Sequence, residues 1–138
     1  MNLQVGVKVL MKNQQGAYLF LRRNPDKYRD MAPQWDIPGG RIDPAESLSD
    51  ALRREVFEEV GMQIADVPVL LAAQDIFVPH KELHVVRLTY VATATGDVKL
   101  STEHHESIWL TRDEVLADDS LDEYVRQVLE GSGDYAKI

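Results

Sequence analysis

Apolar residues alternate with other residues at the amino end of the chain, which is typical of a β-strand. The alternating positions are Leu3, Val5, Val7, Val9 and Met11. They predict a strand over residues 2–11, a turn at 13–16 and a second strand over 17–23, joined as a hairpin. A signal peptide would instead show an unbroken apolar run behind basic residues.

The middle of the chain predicts a loop followed by a helix. Residues 24–34 are polar and contain two prolines, and a short apolar element at 35–37 leads into a pair of glycines. We expect the helix to begin after an N-cap at Ser47, which has an acidic residue three positions later. It should end at Gly61, because glycine readily adopts the left-handed conformation found at helix ends.

The second half of the chain returns to strand patterns. Residues 63–78 and 82–95 are rich in Val, Ile, Leu and Thr and predict two long strands joined by a turn at 78–81. A last short strand is expected over Ser107–Leu110. The pattern so far is that of a sheet with one inserted helix.

Two capping-box patterns near the carboxyl end predict further helices, beginning at Thr111 and Ser120. The second, over about 121–130, has apolar residues on one stripe and ends at a glycine, and the tail 132–138 should be frayed. Strands with an inserted and a carboxyl-terminal helix predict an α/β protein, with a mixed sheet and helices on both faces. The 138 residues are expected to form one domain.

Composition narrows the possible functions. Fifteen Lys and Arg against 23 Asp and Glu give a net charge of −8, which argues against broad binding to nucleic acid. The absence of cysteine excludes disulfides and thiolate metal sites. No stretch is long and apolar enough to cross a membrane, so a cytoplasmic enzyme is the expectation.

Three carboxylates of the predicted central helix share one face. Glu55, Glu58 and Glu59 are spaced i, i+3 and i+4, and helical periodicity places the first and last of them among the apolar residues Leu48, Ala51 and Leu52. A buried carboxylate needs a counter-charge, and the macrodipole disfavours negative charge in the last turns of a helix. A divalent cation would remove both difficulties.

The segment around these glutamates fits a longer pattern, Gly-x5-Glu-x7-Arg-Glu-U-x-Glu-Glu-x-Gly-U, where U is a bulky aliphatic residue. Its fixed positions are filled by Gly40, Glu46, Arg54, Glu55, Val56, Glu58, Glu59, Gly61 and Met62. The chain therefore resembles the Nudix hydrolase family. The resemblance implies an α/β/α sandwich with a central mixed sheet, a catalytic loop–helix–loop over 40–62 and a carboxyl-terminal helix.

The resemblance also implies an activity and a cofactor. Relatives hydrolyse a phosphoric anhydride bond in a nucleoside diphosphate linked to another moiety, using Mg²⁺ or in some cases Mn²⁺. Their residues matching Glu55 and Glu59 bind metal, the one matching Glu58 binds metal or polarises the water, and the Gly40 carbonyl adds a ligand. By the same resemblance, Arg54 orients the carboxylates and Glu46 ties the loop to the helix.

Many relatives supply one more acidic residue from a later loop. In this chain we favour Glu106 for that role, with Glu103 as the alternative. The neighbouring His104 and His105 are interpreted as surface loop residues, because adjacent residues of a strand point to opposite faces and both would not bind one ion.

Substrate contacts are predicted from the residues that flank the segment 40–62, which carries the pattern above and is called the box below. Arg22 and Arg23 end a strand leading toward it and are candidates for binding phosphates, with ordinary strand-end charges as the alternative. Trp35 is a candidate for stacking on a base, although an aromatic residue there more often packs in the core. Phe77 and Tyr28 are weaker candidates of the same kind.

The substrate itself stays open. Nucleoside triphosphates, ADP-ribose or other nucleotide sugars, and dinucleoside polyphosphates all fit the box. Relatives that cleave ADP-ribose tend to carry a proline about fifteen residues beyond the box, and Pro79 lies near that place but not on it. A non-catalytic nucleotide sensor is the alternative from another class. Many relatives are homodimers, but no interface stripe is evident in this sequence.

Overall fold

The structure, a computed structural model, describes residues 1–26 and 34–131. Its strands are β1 (Asn2–Lys12), β2 (Tyr18–Arg23), β3 (Trp35–Asp36), β4 (Gly39–Arg41), β5 (Gln63–Ile64), β6 (Val69–Val78), β7 (Leu83–Thr95) and β8 (His104–Leu110). The helices are α1 (Leu48–Val60), α2 (Arg112–Leu116) and α3 (Glu123–Glu130), and a 3₁₀ turn spans Pro79–Lys81. Within the described ranges, no helix has the length and apolarity needed to cross a membrane.

The strands form a mixed sheet in which β1 holds a central place. The order is β3–β2–β1–β7–β5, with β4 pairing with β1, β6 with β7 and β8 with β2. β1 and β7 run parallel over the whole of β1, whereas the other pairs are antiparallel. The predicted mixed sheet is therefore confirmed.

Alternate side chains of β1 enter two apolar cores on opposite faces of the sheet. One core joins Val7, Val9 and Met11 to the inner side of α1. The other joins Leu10 to α2 and α3 through Val115, Leu121, Val125, Val128 and Leu129. Burial of these side chains supplies the main driving force for folding. Helices thus cover both faces, which confirms the predicted sandwich.

Local signals located the central helix well. Ser47 accepts a hydrogen bond from the backbone N–H of Asp50, and Gly61 has the left-handed conformation (φ 67°) that ends α1. Thr111 also caps α2 in a full capping box with Glu114. All three predictions are confirmed, because each depends on residues within one turn of the cap.

Other boundaries differ from the prediction. The long strand expected over 63–78 is two strands, because the chain turns at Asp66, whose carboxylate accepts the backbone N–H of Thr93. β8 begins three residues earlier than expected, at His104. The cap of α3 is Asp122 rather than Ser120, whose hydroxyl instead donates to Asp118.

Two further expectations concern individual parts of the chain. Leu48, placed on the apolar face of the central helix, is exposed. The segment 27–33 of the predicted loop, with Tyr28 in it, and the tail 132–138 lie outside the described residues.

Candidate active site

Helix α1 presents its three glutamates at different depths. Ala51, Leu52, Val56 and Val60 anchor the helix in the core. Glu59 lies on the same side and is only 9% exposed, whereas the side chain of Glu55 is partly buried and that of Glu58 is 58% exposed. The helix therefore carries a gradient of carboxylate burial from its core side to solvent.

The glycine pair of β4 closes over these carboxylates. The backbone N–H of Gly39 donates to Oε2 of Glu59 at 2.8 Å. A Cβ at Gly40 would lie 2.6 Å from the carboxyl carbon of Glu55, and one at Gly39 (φ +142°) would clash with the backbone of β1. Only glycine at both positions allows this close approach of backbone and carboxylate.

Arg54 hydrogen-bonds to three carboxylates, those of Glu46, Glu55 and Glu58. Its guanidinium donates to both oxygens of Glu46, at 2.7 and 2.9 Å, to Glu55 at 2.9 Å and to Glu58 at 3.3 Å. It also donates to the backbone carbonyl of Arg41. Hydrogen bonds from Arg54 lower the pKa of Glu46 to about 2. The arginine thus joins helix, loop and β4 in one network.

Glu55 and Glu59 are the two more buried glutamates of α1, and their contacts do not fully offset the effect of burial on their pKa values. Burial raises the pKa of Glu59 to about 7, although Lys8 and the Gly39 N–H act in the opposite direction. Burial also raises the pKa of Glu55 despite the hydrogen bond from Arg54. Near neutral pH this part of the site favours either a proton or a bound cation.

The turn before β8 brings two more groups to Glu59. The backbone N–H of Ser101 donates to the carbonyl of Glu59, and a ligand atom of Glu103, one of His104 and one of Glu59 lie within 4.8 Å of one another. Burial, and then the charge of Arg23, lower the pKa of His104 to about 4, so its ring is neutral at pH 7. The sequence interpretation of His104 as a surface loop residue missed this contact.

Glu106 and its neighbours form a separate group. Its carboxylate lies 3.7 Å from Arg22 and 2.8 Å from His105, and the Arg22 guanidinium lies over the ring of Trp35. Trp35 packs against the core beneath α3. The structure thus brings Glu103 close to Glu59 and holds Glu106, Arg22 and Trp35 together elsewhere.

A cleft of about 390 Å³ opens beside the glycine pair. Its lining includes five cationic residues and one acidic residue: Lys8, Arg23, Arg41, Lys81, Arg87 and Asp36. Apolar side chains of β6 and β7 complete the walls. In a chain with a net charge of −8, this cleft is a local concentration of positive charge next to an acidic helix.

Two of these cations form ion pairs in the floor of the cleft. Lys8 donates to Asp36 at 3.0 Å and to the carbonyl of Ile37, and Arg87 donates to Asp122 at 2.7 Å. Burial acts to raise the pKa of Asp36, but the charges of Lys8 and Arg87 outweigh it and lower that pKa. The floor is therefore internally neutralised, unlike the site on α1.

The fold is a mixed sheet between helices, and its carboxylate-bearing helix lies beside a basic cleft, an arrangement suited to phosphorylated small molecules. The model of the NUDIX domain matches residues 2–130. The chain belongs to the NUDIX family and is a nucleotide pyrophosphohydrolase.

Known relatives resemble it over most of their length. The nucleoside triphosphatase NudI of Enterobacter sp. (strain 638) is 32% identical over 108 residues, which are 71% of this chain and 75% of the relative. The MutT protein of Methanosarcina mazei Go1 is 33% identical with a TM-score of 0.82, covering 93% of this chain and 91% of that one. A MutT NUDIX hydrolase of Burkholderia pseudomallei is 25% identical with a TM-score of 0.79, covering 94% of this chain and 98% of that one.

Proposed function

We propose that the enzyme hydrolyses nucleoside triphosphates, releasing a nucleoside monophosphate and pyrophosphate. The similar proteins named nucleoside triphosphatase support this substrate class over ADP-ribose and nucleotide sugars. The comparisons give no support to a non-catalytic nucleotide sensor. The observation that carries the proposal is the contact of Glu59 and Glu55 with the glycine pair of β4, because both glycines also line a cleft that contains five cationic residues.

The residues present fit a divalent cation. A buried carboxylate with a pKa of about 7 is a costly arrangement that a bound cation relieves. Glycine at position 40 lets the backbone lie close to the Glu55 carboxylate, so that both can contact one ion. We assign Mg²⁺, with Mn²⁺ as the alternative, to the carboxylates of Glu55, Glu58 and Glu59 and the Gly40 carbonyl. When bound, it would stabilise phosphate charge and lower the pKa of a water.

The chain's own residues then have distinct roles. Arg54 fixes the orientation of Glu55 and Glu58 through its hydrogen bonds, and its pairing with Glu46 keeps the loop on the helix. Glu58 is the most exposed of the three box carboxylates, which suits it to accept a proton from the attacking water. We assign the extra acidic role to Glu103 rather than Glu106, because Glu103 lies with Glu59.

The cleft would bind the substrate. Arg23, Arg41 and Lys81 add positive charge along its lining, which suits a chain of phosphates entering toward Gly40. The apolar walls on β6 and β7 suit the less polar parts of a nucleotide. Arg22 and Trp35 would not contact the substrate, and their contact with each other would instead stabilise β2.

Turnover of a substrate panel tests this proposal. With Mg²⁺ or Mn²⁺, we expect kcat/KM to be highest for nucleoside triphosphates, compared with ADP-ribose, nucleotide sugars and dinucleoside polyphosphates. Glu103→Gln should lower kcat by about tenfold or more, whereas Glu106→Gln, a matched change in the same strand region, should have little effect. Absence of hydrolysis across the panel would refute the activity, and a loss confined to Glu106→Gln would refute the assignment of Glu103.

A further inference from the structure

His104 lies in a firmly held part of the site. The backbone N–H of Lys99 donates to the carbonyl of Val60 and that of Ser101 to the carbonyl of Glu59, so the chain before β8 is fastened to the end of α1. On its other side, the N–H of Asn24 donates to the carbonyl of Glu103. These bonds hold the backbone next to His104 close to the buried Glu59.

The two adjacent histidines have different surroundings. His105 is engaged on both ring nitrogens, with Nδ1 3.0 Å from the carbonyl of Arg23 and Nε2 2.8 Å from Glu106. The Nδ1 atom of His104 is buried and has no hydrogen-bond partner among the described residues. An unsatisfied buried polar atom is costly, and a ring nitrogen of His104 lies within 4.8 Å of carboxylate oxygens of Glu59 and Glu103. Together these two observations point to a ligand at His104.

We propose that His104 is a nitrogen ligand to a divalent cation of the Mn²⁺ or Co²⁺ class, bound together with Glu59 and Glu103. The three ligand atoms, one from each residue, lie within 4.8 Å of one another, so that small side-chain rotations bring them onto one ion. The inference extends the proposed metal site, on which it rests, by a residue outside the box.

A nitrogen ligand changes which cation the site prefers. Mg²⁺ strongly favours oxygen ligands and keeps its waters, whereas Mn²⁺ and Co²⁺ accept imidazole readily. An imidazole beside two carboxylates therefore raises affinity for transition-metal ions while adding little for Mg²⁺. The enzyme would select between cations through His104, and the box glutamates alone would not.

The direct test uses the metal-free full-length protein loaded with Mn²⁺ alone. Electron spin echo envelope modulation detects a nitrogen nucleus bound to Mn²⁺, and we expect this signal in the wild-type protein and in His105→Asn. In His104→Asn, which keeps a polar side chain of moderate size, the imidazole signal should disappear. Absence of the nitrogen signal in the wild-type protein would overturn the proposal whatever the variant does.

Binding measurements give a second, independent readout. By titration of the metal-free protein, His104→Asn should weaken Mn²⁺ binding by about tenfold or more and change Mg²⁺ binding by less than about twofold. Equal losses for both cations would contradict a role in selectivity. A wild-type enzyme that turns over nucleotides without a nitrogen signal refutes this proposal alone, and a nitrogen signal without turnover of any panel substrate refutes the proposed function alone.

Discussion

Two groups of buried acidic side chains lie close together, and their charges are balanced in opposite ways. On α1, Glu59 has a pKa of about 7 because burial outweighs the opposing interactions. In the cleft floor, Asp36 is partly buried, Lys8 and Arg87 lower its pKa, and Asp122 pairs with Arg87 at 2.7 Å. We call the first group incomplete, because its counter-charge would come from the proposed cation, and the second complete, because its counter-charges are side chains of the protein.

Whether a buried carboxylate has its own counter-charge distinguishes a functional site from a structural ion pair better than the degree of burial does. A carboxylate with its own counter-charge is part of the fold, and removing its partner costs stability. A carboxylate without one strains the metal-free protein and gains its partner only on binding. The following experiments address each side of the contrast.

The largest expected effect comes from neutralising the incomplete group. Glu59→Gln should lower kcat by about 10²–10⁴-fold, because it removes a negative charge from the reacting centre while the amide oxygen still accepts the Gly39 N–H. Asp50→Asn, an equal change of charge in the first turn of the same helix, serves as the control and should retain wild-type kcat. Steady-state kinetics with Mg²⁺ measure both, and similar rates for the two variants would show that the site is misassigned.

The second effect is on the pH dependence of stability without metal. The pKa of Glu59 is about 7 in the folded protein and near 4.5 when unfolded, so the folded state holds more protons between these pH values. Stability should therefore fall as pH rises from about 4.5 to 7, by up to about 3 kcal/mol relative to Glu59→Gln.

Comparing the two proteins removes other titrations from this measurement. His104, with a folded pKa of about 4, contributes the opposite slope, and this contribution is common to both. Urea unfolding at several pH values gives the difference in the free energy of unfolding. Saturating Mg²⁺ or Mn²⁺ should stabilise the wild-type protein near pH 7.5 more than the variant. A difference that stays constant over this pH range would mean that Glu59 titrates normally.

The third effect is on the completed group. Lys8→Met leaves Asp36 without its nearest cation and should lower the free energy of unfolding by about 2 kcal/mol. Adding Asp36→Asn should recover part of that loss, because the two residues interact directly. Asp119→Asn, which breaks an exposed pair with Arg126, should leave the urea midpoint unchanged. Strictly additive losses for Lys8→Met and Asp36→Asn would refute the pairing.

The sequence predicted the incomplete group far better than the completed one. The glutamates of α1, its cap at Ser47 and its end at Gly61 all follow from spacings within one helix. Lys8 and Asp36 are separated by 28 positions, and they meet through strand pairings that are not local in sequence. Asp36 lies on β3, which pairs with β2, and Lys8 lies on β1 opposite Gly39 of β4. No local periodicity encodes such a pairing.

Non-local strand pairing also explains why the sequence did not predict which residues around β8 lie near Glu59. Its pairing with β2 shifts register between Arg22 and Arg23, so Glu106 lies opposite Arg22 while His104 lies opposite Arg23. Such an irregularity changes which side chains face the site. The sequence offered Glu103 and Glu106 as candidates, but which of them lies near Glu59 depends on that non-local shift.

The smallest expected effect concerns the cations of the cleft that bind the phosphates of the substrate. Lys8 and Arg87 are paired with acids, and Arg23 lines the same cleft from β2. We expect its guanidinium to bind a phosphate of the substrate. Arg23→Gln should raise KM for a nucleoside triphosphate by about tenfold with a smaller change in kcat.

Arg22→Gln is the matched control, because Arg22 is the preceding residue on β2 but lies over Trp35 and near Glu106 instead of lining the cleft. It should change KM by less than about twofold. Steady-state kinetics with one substrate measure both arginines under the same conditions. If Arg22→Gln raised KM as much as Arg23→Gln, lining the cleft would not determine which arginine binds the phosphates of the substrate.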